Sequence, residues 1–166
     1  MMHEDFMRRA LQIAGQSLDE PGAMPYGAVV VRDGTIIGEG LNRALAKSDP
    51  TSHGEVEAIR AACKHLGTTD LSGADLYTTA EPCSMCVATM YLAGIERVYY
   101  ASGAKESGAF MARLAARDPK WTRRISGPDL RREVGLPMEG RQMQAVPLLS
   151  AEAHALFDAF AKKQGA

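Results

Sequence analysis

The sequence contains no apolar run long enough to cross a bilayer. Its longest stretch without a charge, Pro82 to Ile95, falls short of the ~20 residues a spanning helix needs. No excess of one charge sign is present either: the net charge is −1, so no global field draws the chain to nucleic acid. Tryptophan occurs once and cysteine three times. That odd cysteine count, two close together and one alone, does not make a disulfide framework. A reducing cytoplasm, with thiols kept for metal or redox chemistry, is expected instead. The N-terminal stretch carries Glu4, Asp5, Arg8 and Arg9 and lacks the apolar core of a secretory signal. Internal repeats and low-complexity tracts are absent. What remains is ordinary for a folded protein: 166 residues, 46% hydrophobic and 23% charged, which predict one domain over 1–166.

Charge is uneven along the chain. Arg113, Arg117, Lys120, Arg123, Arg124, Arg131, Arg132 and Arg141 face only Asp118, Asp129, Glu133 and Glu139 in the same stretch. Such a patch could contact phosphates, but a solvated face or arm is the expected reading. Trp121, beside Arg123 and Arg124, is expected to anchor a local cluster, and Cys63 to be a core thiol.

Periodicity predicts an alternation of helices and strands. Apolar residues recur at helical spacing over Glu4–Asp19, and Pro21-Gly22 stops the helix. Tyr26–Val31 reads as a strand, Asp33-Gly34 as a hairpin turn, and Thr35–Leu41 as the return strand. A polar loop from Asn42 to Ser52 leads into a helix over His53–Leu66. Strand Ala74–Ala80, helix Cys83–Ala93 and strand Arg97–Ala101 follow. A short helix over Gly108–Ala116 is predicted next. An irregular stretch over Lys120–Arg141 then includes a helical turn at Asp129–Val134. Met143–Leu148 reads as a last strand and Ser150–Lys162 as a terminal helix. The class is α/β, with helices on both faces of one mixed sheet.

Chemistry concentrates in His53-Gly54-Glu55 and Pro82-Cys83-Ser84-Met85-Cys86. Residues three apart share a helix face, and a helix N-terminus favours thiolates. His53 also stands at a helix start, which disfavours its imidazolium form. Alone, Cys-x-x-Cys leaves metal binding and redox chemistry equally open. The His53 motif tips the balance to metal. One His and two Cys give three zinc ligands and leave a fourth position open for water, whereas structural sites close with four. Glu55 lies only two residues from His53, and such neighbours do not share a helix face. It is therefore expected to serve the water and the substrate rather than the metal.

His-x-Glu followed by Pro-Cys-x-x-Cys resembles the zinc-deaminase signature of the cytidine deaminase superfamily. The resemblance runs from the first helix to about Gly108 and includes Asp49–Arg60 and Leu76–Cys86. It implies a three-layer α-β-α sandwich around a mixed five-stranded sheet, and one zinc per chain held by His53, Cys83 and Cys86. It also implies Glu55 as the proton carrier, a hydrolytic deaminase reaction and a homodimer.

Three branches contribute to the likeness. Ile59–Lys64 and Val98–Ala101 resemble bacterial guanine deaminases. The His-Gly-Glu form is shared with fungal cytosine deaminases. Tyr26–Gly34 and the Asp49-Pro50-Thr51 loop are similar to tRNA adenosine deaminases. The resemblance points first to guanine as substrate, then to cytosine, a related aminopyrimidine or a triazine, with a tRNA adenosine as the macromolecular alternative. Asn42 would read a base edge, Tyr26 would stack on the base, and Gly54 would bring its backbone near it. The acid that guanine deaminases place beside the base has no clear counterpart, and Glu106 is the nearest substitute. Asp118–Gln142 matches none of the branches.

Overall fold

The structure, a computed structural model, describes residues 3–165. Contacts divide it into two compact units, residues up to Arg131 and residues from Arg132 on.

The first unit opens with helix α1, His3–Gly15. Its Phe6, Ala10, Ile13 and Ala14 are buried, one face at helical spacing. Strand β1, Met24–Arg32, and strand β2, Thr35–Asn42, form the hairpin. Asp33 and Gly34 both take positive φ, 51° and 71°, the type I′ geometry that suits the twist of paired strands. Next come helix α2 (Gly54–Leu66), strand β3 (Ala74–Ala80), helix α3 (Ser84–Ala93) and strand β4 (Arg97–Ser102). Helix α4 spans Ala104–Arg117.

The sheet order is β2-β1-β3-β4. β1 is antiparallel to both neighbours, and β3 runs parallel to β4 across the α3 connection. α1 covers one face, where Phe6 and Ile13 meet Val29, Val31, Leu41 and Tyr77. α2 and α3 cover the other, where Val56, Ile59, Cys86 and Met90 meet Ala28, Val30 and Leu76. This is the α/β three-layer arrangement expected. No helix among the described residues is long and apolar enough to cross a membrane.

β2 and α2 approach unusually closely. A Cβ on Gly40 would overlap the carbonyl oxygen of Gly54 and the nitrogen of Ala58, and one on Gly38 would overlap the carbonyl oxygen of Ala58. The nearest atoms are backbone, with the Cβ atoms of Glu57 and Ala62 next, so no flexible side-chain end can swing aside. Overpacking of this kind typically costs about 1–3 kcal/mol. Gly40→Ala is expected to lower unfolding stability by at least that range in a urea titration, and an unchanged midpoint would contradict the contact.

Helix α5, Gly127–Gly135, spans the division between the units. It is longer than the turn expected at Asp129–Val134. The hydroxyl of Ser126 accepts from the Asp129 N–H at 3.1 Å and donates to its carboxylate at 2.6 Å, a capping arrangement with Pro128 in the first turn. α4 also exceeds its expected range, because Gly108 lies inside it with open space where a side chain would be.

The second unit holds helix α6, Ser150–Lys163, and the segment before it. Arg141 donates to the Leu136 carbonyl at 2.9 Å. The expected strand at Met143–Leu148 is not formed, so the sheet has four strands among the described residues rather than five. Val146 and Leu148 are more than four-fifths exposed, and Pro147 has no N–H to give a ladder.

Candidate active site

Two helix starts converge on one point. His53 is the residue before α2 and Cys83 the residue before α3, both in extended conformation, and neither side chain bonds its own helix end. Each is thereby free to turn away from its helix. The Nδ1 of His53 lies 3.6 Å from the Cys83 sulfur and 3.5 Å from the Cys86 sulfur, and the sulfurs are 3.6 Å apart. Among the described residues this is the group of His, Cys and acidic side chains close enough together to hold a metal ion. Tetrahedral zinc, with bonds of about 2.3 Å to sulfur and about 2.05 Å to nitrogen, needs edges of about 3.8 and 3.6 Å. The observed triangle matches to within a few tenths of an ångström, so the donor set fits zinc.

The three side chains shift one another's proton affinities. The Cys83 thiol is drawn down to about 3, chiefly by its hydrogen bond with Cys86 and then by that with His53, against the opposing effect of burial. Cys86 is pushed up by its hydrogen bond with Cys83 and by burial. The imidazole of His53 is raised above its ordinary value by the Cys83 sulfur, although burial opposes this. A divalent cation held by the three side chains would let both sulfurs ionise.

Glu55 sits in the first turn of α2 and is only 6% exposed. Burial raises its carboxyl above the usual range, opposed by its own backbone N–H and by His53. It lies outside the ligand triangle but lines the cavity above it, a space of about 280 Å³. Asn42, at the end of β2, is buried and lines the same cavity. Its Oδ1 accepts from the Ala44 N–H at 3.2 Å, which holds the amide in place. Tyr26 lines the wall and meets Phe110 edge-on at 6.2 Å. Its hydroxyl is buried without a partner, and burial pushes it above the ordinary tyrosine range.

Gly54 does not line the cavity. A Cβ there would come 2.6 Å from the Tyr26 carbonyl oxygen, so packing of α2 on β1 explains the glycine. Glu106 is likewise outside. Its carboxylate folds back toward Gly103 beside a neighbouring depression. Trp121 lies outside as well, with Lys120 over its ring at 5.2 Å.

The sequence reading did not place Glu81, Lys105, Arg123 or Arg131 at the site, and all four line the cavity. Glu81 accepts from the Ala104 N–H at 2.9 Å and pairs with Arg131 at 3.4 Å. Its position two before Cys83, inside the metal motif, was the available signal. Arg123 and Arg131 belong to the basic stretch expected to be merely solvated.

A fold with helix starts aimed at one another across a β1-β3 sheet, closing on one imidazole and two thiols, defines the zinc-dependent deaminases. The comparison with known proteins agrees. Residues 1–102 match the family described as the cytidine and deoxycytidylate deaminase zinc-binding region, and the chain belongs to that family. The guanine deaminase of Bacillus subtilis is 46% identical over 102 residues, 61% of this chain and 65% of that protein. A tRNA-specific adenosine deaminase of Agrobacterium fabrum is 45% identical over 108 residues, 62% of this chain and 70% of that one. Thus the matched stretch spans a little under two thirds of the Bacillus enzyme's length. The X-ray structure of the Bacillus subtilis guanine deaminase superimposes with a TM-score of 0.81 at 34% identity, over 98% of this chain and 95% of that one.

Proposed function

We propose that the protein is a zinc-dependent hydrolase that removes an amino group from a free nucleobase or closely related heterocycle, with guanine as the first substrate to test. The observation that carries this is the buried Glu55 carboxyl beside, but not within, the His53–Cys83–Cys86 triangle, facing a cavity of about one ring system. Similarity to guanine deaminase along almost the whole chain supports guanine over the other bases. The net reaction is guanine plus water giving xanthine plus ammonia.

His53, Cys83 and Cys86 would hold the zinc, which when bound supplies Lewis-acid activation of water. Glu55 carries the proton. It delivers it first to the ring nitrogen next to the amine-bearing carbon, and later to the departing amine nitrogen. A buried carboxyl with a raised affinity for protons suits both transfers. Asn42 offers its amide N–H groups to a base edge, and Tyr26 offers its ring face. Asn42→Ala is expected to lower kcat/KM by about ten- to a hundredfold, the scale of an unmatched buried polar group, with zinc content unchanged.

The similarity to a tRNA-specific enzyme supports a second reading, deamination of an adenine within RNA. An ammonia-release screen over guanine, cytosine, aminotriazines, their nucleosides and tRNA tests both. Release from a free base supports the first reading. Release from tRNA alone, falling steeply with salt, replaces it with the second.

Residues 1–166 are taken as one deaminase domain acting in the cytoplasm as a homodimer. Tyr91 and Leu92 on α3, 83% and 87% exposed, and the half-exposed Val98 and Tyr100 on β4 support a second copy covering this surface. Sedimentation equilibrium tests it.

A further inference from the structure

The charges of the cavity are arranged by depth. Glu55 and Asn42 are buried, whereas Lys105, Arg123 and Arg131 line the same space and are exposed. The floor therefore holds the reacting groups and the mouth holds the cations. Glu81 answers one of them, Arg131, at 3.4 Å. Arg123 and Lys105 have neither ion pair nor hydrogen bond among the described residues. The first turns of α4 and α5, at Ala104 and Gly127, border the mouth as well and add positive potential. Glu106, the acid nearest in sequence, lies outside.

A neutral purine gives this mouth nothing to bind. An arginine presents a planar fork matched to carboxylate or phosphate oxygens. At about 280 Å³ the cavity lies at the lower limit for small-molecule sites, roughly 300–1,000 Å³. That is room for one ring system and a compact substituent.

We propose that the preferred substrate is an aminated heterocycle bearing an anionic group, a carboxylate or a phosphate, on the side away from the reacting carbon. Arg123 is its main partner and Lys105 its second. This inference rests on the deaminase reading above and narrows its substrate class. Guanine itself is then a substrate that leaves the mouth unfilled.

The test compares pairs that differ by the anion. Zinc-loaded Glu55→Gln protein, which should bind without turnover, is titrated calorimetrically with cytosine and cytosine-5-carboxylate, and with guanine and guanosine 5′-monophosphate. In at least one pair the anionic member is expected to bind about tenfold or more tightly, the effect of a charge-assisted contact. The pair that shows the gap tells carboxylate from phosphate. Adding Arg123→Gln should erase the gap. Arg124→Gln, next in sequence but outside the cavity, should leave it, and salt should narrow it. Anionic members that bind no better than neutral ones, or not at all, overturn the proposal, as does a gap that survives Arg123→Gln. Ammonia release by the unmodified zinc protein reads the parent assignment separately. Release without any gap defeats only this inference, whereas a gap without release from any heterocycle defeats the deaminase reading and, with it, the substrate assignment, leaving an anion-binding cavity.

Discussion

Replacing Glu55 by glutamine is expected to leave one zinc per chain and to lower turnover by at least about a hundredfold, the usual scale for losing a general acid–base group. Glutamine keeps the shape of the side chain and most of its hydrogen bonding but cannot carry a proton. The carboxylate is not part of the ligand triangle, so the metal should not notice the change. The fold should not suffer either, since a carboxyl that is 6% exposed is replaced by a neutral group of equal size, and burying charge is unfavourable. Metal analysis and a thermal melt on the same preparation separate the outcomes. Loss of zinc would make Glu55 a ligand and undo the proposed division of labour. Full activity with zinc in place would remove its role altogether.

The second large effect concerns the sulfurs. Cys83→Ala combined with Cys86→Ala is expected to abolish zinc binding and activity and to make the protein less stable. A ligand that bound only the folded state would stabilise it by RT ln(1 + [L]/Kd), about 4 kcal/mol at a thousandfold excess over Kd, and any ion held by the cysteine pair in the unfolded chain subtracts from that. A strong chelator should therefore lower the melting temperature of the unaltered protein and do nothing to the double variant. Undiminished zinc in the double variant would refute the assignment of the site.

Both variants target residues that were legible before any coordinates. His53, Glu55, Cys83 and Cys86 announce themselves because their spacing is local and their neighbours mark helix starts. The same holds for the Asp33-Gly34 turn, whose positive φ values few other residue pairs accept. Arg123 was not legible as a lining residue. Nothing in Thr122–Ser126 has a period, and its approach to the cavity depends on where α4 ends and α5 begins. Met143–Leu148 failed in the opposite sense. Its apolar residues resemble a strand, yet a strand needs a partner edge, and the local pattern does not say whether one is offered. Gly54 drew attention for its place between two site residues, while its cause lies in the Tyr26 carbonyl pressed against it.

The sheet order also bears on how the chain acquires its metal. Cys83 and Cys86 are three residues apart and can grip an ion while the chain is still unfolded. His53 is 30 residues from Cys83, and it is carried to the sulfurs only when β3 pairs with β1 and α2 settles on the glycines of β2. The ion therefore joins distant parts of the chain, as a covalent cross-link would. A cross-link closing a loop of that length removes freedom mainly from the unfolded chain, on the order of 3–4 kcal/mol in the loop-entropy picture. Capture would begin as a two-point grip in a loose polymer, with His53 completing the site as the sheet forms.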